Sequence, residues 1–125
     1  MSNSKTRDLA LKYLSFMESG DVPAALELTS NDATFWFPAS GNLSKTQYAD
    51  FFSHISPLVI STKFNIDGIT EESDRIAIEV TGSAELTNGK TYNNQYHFLF
   101  IVRNGLIHQI REYADTAPAV VFMSK

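Results

Sequence analysis

Asn88–Asp115, NGKTYNNQYHFLFIVRNGLIHQIREYAD, is the stretch that decides how this chain of 125 residues is read. Asn88-Gly89 in front and Arg103-Asn104-Gly105 in the middle are turn formers, because Asn and Gly tolerate the positive φ angles of tight hairpins. Between the turns, Tyr92, Asn94, Tyr96, Phe98, Phe100 and Val102 take every second position. Side chains alternate across a strand, so these six share one face, apolar with a few polar tips. A second strand, Leu106 to Tyr113, follows the turn.

Upstream, alternation predicts strands near Lys63 to Thr70 and Arg75 to Leu86. Before Val59 the period is helical. Leu9, Ala10, Tyr13, Leu14 and Met17 recur at three-and-four spacing between Ser4 and Gly20, the pattern of an amphipathic helix. Asp21 caps a short second helix with Pro23 in its first turn. Ser44-Lys45-Thr46-Gln47 has capping-box spacing and opens a third helix carrying Tyr48, Phe51, Phe52 and Ile55. Thr34-Phe35-Trp36-Phe37, bulky and β-favouring, reads as a strand stopped by Pro38. Helices first and a meander of strands after give an α+β fold in one domain, residues 1–125. The apolar tail from Ala117 to Lys125 is expected to close over an open end of the sheet.

Composition narrows the function. A net charge of −4 with scattered Lys and Arg argues against a nucleic-acid partner. No segment is long and apolar enough to span a bilayer, and the amino-terminus, with Lys5, Arg7, Asp8 and Lys12, lacks the apolar core of a signal peptide. The absence of cysteine suits a reducing cytoplasm and leaves no thiolate nucleophile. His54, His97 and His108 show no metal-ligand spacing, and the glycines form no phosphate loop. Ser44 has its cap role and no His-Asp company.

Turn lengths predict which residues share the pocket face. A two-residue Asn88-Gly89 turn sets Thr81 opposite Tyr96, Glu79 opposite Phe98 and Ser83 opposite Asn94. At the second turn, a two-residue Asn104-Gly105 loop sets Phe98 against Arg111, whereas a three-residue loop sets Phe98 against Ile110 and Tyr96 against Glu112. The latter matches like with like and is preferred. In that register the opposite face carries Ile76, Ile78, Val80, Leu99 and Ile101, too apolar for water, so a homodimer through the outer sheet face is expected.

The first helix with its Gly20-Asp21 corner, the Asp32-Ala33-Thr34 strand entry, the alternating aromatic strand and the closing REYADT (Arg111–Thr116) resemble the nuclear transport factor 2 superfamily, most closely its SnoaL-like and ketosteroid-isomerase-like branch. The resemblance implies a curved, mostly antiparallel sheet wrapped around a cone-shaped pocket closed by three helices, a small apolar ligand and a sheet-mediated dimer. It does not choose a reaction, because one fold hosts many chemistries.

Aligned with ketosteroid isomerases, the oxyanion donors fall on Tyr13 and Tyr96, but the general-base position falls on Phe37. Aligned with limonene-epoxide hydrolases, the Asp-Arg-Asp set falls on Thr81, Glu79 and Glu112, keeping one carboxylate and reversing the charge at the Arg position. The polyketide cyclases of the SnoaL type need a single acid/base carboxylate, which Glu112 or Asp115 supplies. The expected catalytic set is therefore Glu112, Tyr13 and Tyr96, with Asp115 as reserve. Trp36, Phe37, Glu79, Thr81, Asn94, Phe98 and Ile110 are expected to line the ligand. No metal or cofactor is implied. The expected reaction moves a proton in an apolar carbonyl compound, as an isomerase, cyclase or dehydratase does; the rival reading is a binding module of the same fold, and a third is a dimerising structural domain whose pocket is filled by its own side chains. A carboxylate facing aromatics should have a raised pKa, as proton transfer near neutral pH requires.

Overall fold

The computed structural model describes residues 4–122. The order is α1 (Lys5–Glu18), α2 (Val22–Leu26), β1 (Thr29–Phe37), β2 (Gly41–Ser44), α3 (Lys45–Ile55), a 3-10 turn (Ser56–Leu58), β3 (Val59–Glu72), β4 (Arg75–Leu86), β5 (Thr91–Arg103), β6 (Leu106–Ala114) and a 3-10 segment (Ala117–Phe122). The tail beyond 122 lies outside the described residues. One six-stranded sheet runs β2-β1-β6-β5-β4-β3, antiparallel except where β1 pairs parallel with β6. The three helices and the curved sheet form the expected α+β cone.

Local chemistry starts each helix. Ser4 accepts the Arg7 backbone N–H to cap α1, and Asp21 accepts from Ala24 to cap α2. At α3 the capping box is complete: the Ser44 hydroxyl accepts the Gln47 N–H at 3.1 Å while the Gln47 side chain accepts the Ser44 N–H at 2.8 Å. Helix α1 lies along the free edge of β3 and is tied there at both ends. Ser4 donates to Glu71, Arg7 pairs with Glu71 at 3.5 Å, and Glu18 accepts the Phe64 backbone N–H at 2.7 Å. The helix thus engages the edge at Phe64 and at Glu71.

The β4–β5 register differs from expectation by one residue. Leu86 and Lys90 close the hairpin, leaving Thr87, Asn88 and Gly89 in the loop with Gly89 at φ +84°. Val80 therefore stands opposite Tyr96, Ile78 opposite Phe98 and Gly82 opposite Asn94. A one-residue shift turns a whole strand over. Ile76, Ile78 and Val80 point inward and are at most 1% exposed, while Glu79 and Thr81 point out. Burial of each such aliphatic side chain contributes about 1.5–3 kcal/mol, so hydrophobic parity outweighs any preference for the shorter loop. The apolar outer face built from Ile76, Ile78 and Val80 is corrected accordingly: those residues are core.

The second hairpin turns on two residues, Asn104 and Gly105, both at positive φ, with Arg103 opposite Leu106. The register then shifts between Ile101 and Val102, where His108 is the extra residue of a bulge. Beyond it Phe100 faces Ile110, Phe98 faces Glu112 and Tyr96 faces Ala114. Like still meets like, but through a bulge instead of a longer loop, and Glu112 lies one row from the place expected.

Candidate functional site

Inner-face side chains of β5, β6 and β1 meet α1 and α3 around Glu112. Phe98 and Phe100 on β5, Ile110 on β6 and Phe35 on β1 are at most 5% exposed. Tyr13 reaches down from α1 onto the edge of the Phe100 ring, centroids 5.7 Å apart. Its hydroxyl shares a 2.8 Å hydrogen bond with that of Tyr48 on α3. The Tyr48 ring is held by stacking on Phe35 at 4.1 Å and by Phe37 at 5.7 Å. Tyr96 stacks on Phe98 at 5.3 Å and meets Phe64 edge-on.

Glu112 is the acid among these rings. Burial lifts its carboxyl from the ordinary 4.5 to about 8, and no basic group among the described residues offsets it. The residue keeps intermediate accessibility. Tyr13, Tyr48 and Tyr96 all have raised pKa values, first through burial and then in part through the Glu112 charge. All three phenols consequently share the electrostatic neighbourhood of one carboxyl and stay protonated over the physiological range.

Of the expected catalytic residues, the fold gathers Tyr13, Tyr96 and Glu112. Asp115 is elsewhere: it is exposed, just past β6, and its side chain accepts the Ala117 N–H at 3.0 Å as a turn cap. Among the expected ligand contacts, Phe37, Phe98 and Ile110 lie on the inner side. Trp36 does not; on β1 it faces outward, with the Arg111 guanidinium 4.3 Å from its ring and the Tyr113 ring at 4.8 Å. Glu79 is outward and 64% exposed beside His97. Thr81 is outward and donates to Asp67 at 2.6 Å. Asn94 is buried and committed to Tyr92 and to the Asp115 carbonyl, each at 2.8 Å.

The open clefts lie beside this cluster rather than in it. One of about 760 Å³ along β3–β5 gathers Lys63, Thr81, Asn94, Gln95 and Asp115. Another of about 380 Å³ joins Asp67, Glu79, His97 and Tyr113 with Tyr96. Neither is lined by Tyr13 or Glu112; Tyr96 borders the smaller cleft and Phe64, against it, the larger. Sequence reasoning missed Tyr48, placed only on a helix face. The signal was its spacing with Phe51, Phe52 and Ile55, which marks an inward position without revealing a phenol partner thirty-five residues away. Among the described residues, no group of three or more His, Asp or Glu is arranged to hold a metal, and no helix is long and apolar enough to cross a membrane.

The curved sheet closed by helices is the fold of the nuclear transport factor 2 class. Within it, residues 10–110 match the SnoaL-like domain model, and the chain belongs to that family. Its fold is similar to PrhC from Penicillium brasilianum NBRC 6234, with 22% identity, TM-score 0.85, and coverage of 95% of this chain and 85% of that one. It is also similar to the BvnE pinacolase from Penicillium brevicompactum, with 18% identity, TM-score 0.83, and coverage of 95% and 92%. An NTF2-like protein from Anabaena variabilis ATCC 29413 shares 24% identity at TM-score 0.82, with coverage of 94% and 96%. At these identities the likeness is one of fold. No curated protein matches the chain by sequence.

Proposed function

We propose that the protein binds a small, largely apolar carbonyl compound and moves a proton within it, as an isomerase, cyclase or dehydratase does. The observation that carries this reading is Glu112, desolvated to a pKa of about 8 beside the buried phenols of Tyr13 and Tyr48 and the half-buried phenol of Tyr96. Ionised, Glu112 takes a proton from the carbon next to the carbonyl, and the electron pair passes into the carbonyl to give an enolate oxygen. Tyr13, backed by Tyr48, and Tyr96 donate hydrogen bonds to that oxygen, the kind of preorganised stabilisation that lowers such barriers most. Glu112 then returns the proton to another carbon, or protonates a departing hydroxyl so that water leaves. Each of these steps uses side chains of the chain itself. An acid poised near neutral pH gives and takes protons with comparable ease.

A ligand entering from the cleft that Tyr96 lines meets Phe98, Ile110 and Phe37 as apolar walls beside Glu112. Trp36, Glu79 and Thr81 are left out because they face away from Glu112. The fold relative named as a pinacolase supports an enzyme on this scaffold, though only at the level of fold. Placement in the cytoplasm suits a cysteine-free chain. Solvent-deuterium exchange into a panel of cyclic enones tests the reading. The wild type should catalyse exchange next to the carbonyl, and Glu112→Gln should bind the same compound without exchanging it. Binding without exchange by the wild type would instead favour the non-catalytic module, which the apolar Phe37 at the family's base position motivates.

A second copy of the chain is the expected partner, docked on the outer face. The apolar contribution there comes from Leu99 and Ile101, both half-buried, and from the Trp36–Arg111–Tyr113 stack. Arg, Trp and Tyr are the side chains that most often dominate interface energetics.

A further inference from the structure

Past Gly82 the inner face of the sheet continues to Ala84 and Leu86 on β4, 7% and 2% exposed, with Tyr92 of β5 opposite Ala84. These two aliphatic residues stand apart from the core built on Tyr13, Phe98 and Ile110. They lie at the end of the sheet where the 3-10 segment Ala117–Phe122 packs on β5. The Phe122 ring meets the Tyr92 ring with centroids 4.9 Å apart, and Asn88, two residues beyond Leu86, donates to the Val121 carbonyl at 2.9 Å. The segment is rooted at its start, where buried Asn94 donates to the Asp115 carbonyl at 2.8 Å and the Asp115 side chain accepts the Ala117 N–H at 3.0 Å. None of its own residues is buried. A firm root, a far end held by an exposed hydrogen bond and a ring contact, and no buried residue between them mark an element that opens locally.

We propose that Ala117–Phe122 is a displaceable cover over an apolar subsite, the shelf of Ala84, Leu86 and the Tyr92 ring, and that the alkyl chain of a ligand takes the cover's place. Phe122 shows what the shelf accepts, an apolar side chain set against Tyr92. Along β5 the shelf is four residues, about 13 Å, from Tyr96, and Tyr96 stacks on the Phe98 that faces Glu112. A chain borne by a ring beside Tyr96 reaches the shelf along this row. In the other direction the row runs into Phe98 and Phe100, at most 5% exposed and packed. That a carbonyl ring brings the chain rests on the proton-transfer reading; the shelf and its cover are properties of the free protein. Opening lowers the affinity of long-chain ligands alone, because apparent affinity is reduced by the fraction of molecules in the competent form. A site of this kind is a minor conformation that its ligand makes dominant.

Two variants loosen the cover without touching Tyr13, Tyr96 or Glu112. Asn88→Asp keeps the side-chain oxygen that accepts the Lys90 N–H in the turn and removes the donor to Val121. Phe122→Ala takes the ring off Tyr92. Decanol serves as a probe with a chain and no carbonyl. In [13Cβ]alanine-labelled protein the Ala84 line, assigned by its loss in Ala84→Ser, should move on titration with decanol. The midpoint should fall about fivefold in Asn88→Asp, the loss of about one hydrogen bond from the cover, and should fall in Phe122→Ala as well. A cyclohexenone bearing an octyl chain should also bind about fivefold tighter to Asn88→Asp, whereas its methyl analogue should bind as it does to the wild type. An Ala84 line that ignores decanol, or midpoints equal in the wild type and both variants, overturns the proposal. Equal gains for the octyl and methyl compounds overturn it too. If decanol behaves as expected but neither enone binds, the subsite stands and the proton-transfer reading fails.

Discussion

Phe98 and Glu112 stand directly opposite one another on β5 and β6, an aromatic ring and a carboxyl paired across the inner face of the sheet. The pairing exists because His108 bulges out of β6 and advances everything after it by one place. Tyr96 is one row along β5 in one direction, and Phe100, under Tyr13, is one row along in the other. The acid is thereby bracketed by phenols brought from a strand and a helix.

The raised pKa of Glu112 makes stability depend on pH in a definite direction. The folded protein holds a proton up to about pH 8 that the unfolded chain releases near 4.5. Between those values the folded state binds more protons, so stability falls as pH rises, by about 1.4 kcal/mol per unit at most. Below 4.5 the group carries no such penalty, and above 8 the penalty is complete. Glu112→Gln should therefore gain on the wild type as pH rises from 5 to 9, by a few kcal/mol in total. Urea titrations of both proteins across this range check it; parallel curves would refute it.

The Tyr13–Tyr48 bond should be worth about 1 kcal/mol to the fold. Tyr48→Phe should lose roughly that much stability and also weaken carbonyl binding, because Tyr13 loses the partner that orients it. Tyr13→Phe should cost more in exchange rate than Tyr48→Phe, since Tyr13 is the donor and Tyr48 its support. Equal effects on rate would place both hydroxyls on the ligand.

Gly82 should resist even a methyl group. A Cβ there would lie 2.7 Å from the Tyr96 ring and 3.3 Å from the Phe64 ring. Gly82→Ala should push the Tyr96 ring aside, cost about 1–3 kcal/mol by overpacking, and reduce enone binding along with stability. Thermal melts and ligand titration on the same samples check the pair; binding unchanged in the destabilised variant would separate Tyr96 from the ligand.

The outer face should lose its partner when Arg111 is reversed. Arg111 is flanked by Trp36 and Tyr113, and its Nε donates to the Tyr113 hydroxyl at 2.6 Å. Arg111→Glu should convert a dimer to a monomer in sedimentation equilibrium at micromolar concentration. A wild type that is monomeric at that concentration rules out the proposed dimer.

Helix positions and the four long strands were legible because their signals are local: three-and-four spacing from Leu9 to Met17, caps at Asp21 and Ser44, and alternation that stops at turn residues. Registers were not, because Asn88-Gly89 and Asn104-Gly105 suit loops of two or three residues equally well. The information needed lay in β4, where Ile76, Ile78 and Val80 alternate with Ala77, Glu79 and Thr81. Read as a core face, that pattern alone sends Glu79 and Thr81 outward. Trp36 was ambiguous for another reason: four bulky residues in a row, Thr34 to Phe37, have no parity to read. Glu112 lay within reach of sequence because it is an acid between Ile110 and Ala114 on an apolar parity. The Tyr13–Tyr48 and Asn94–Asp115 contacts join distant segments and carry no local mark.

The claim on which the rest stands is that the Glu112 carboxyl is removed from water among phenols. Its titration in the folded protein measures this directly, by following the Glu112 line in [13Cδ]glutamate-labelled protein, assigned by its disappearance in Glu112→Gln. The expected midpoint lies near 8. A midpoint near the ordinary 4.5 would contradict it.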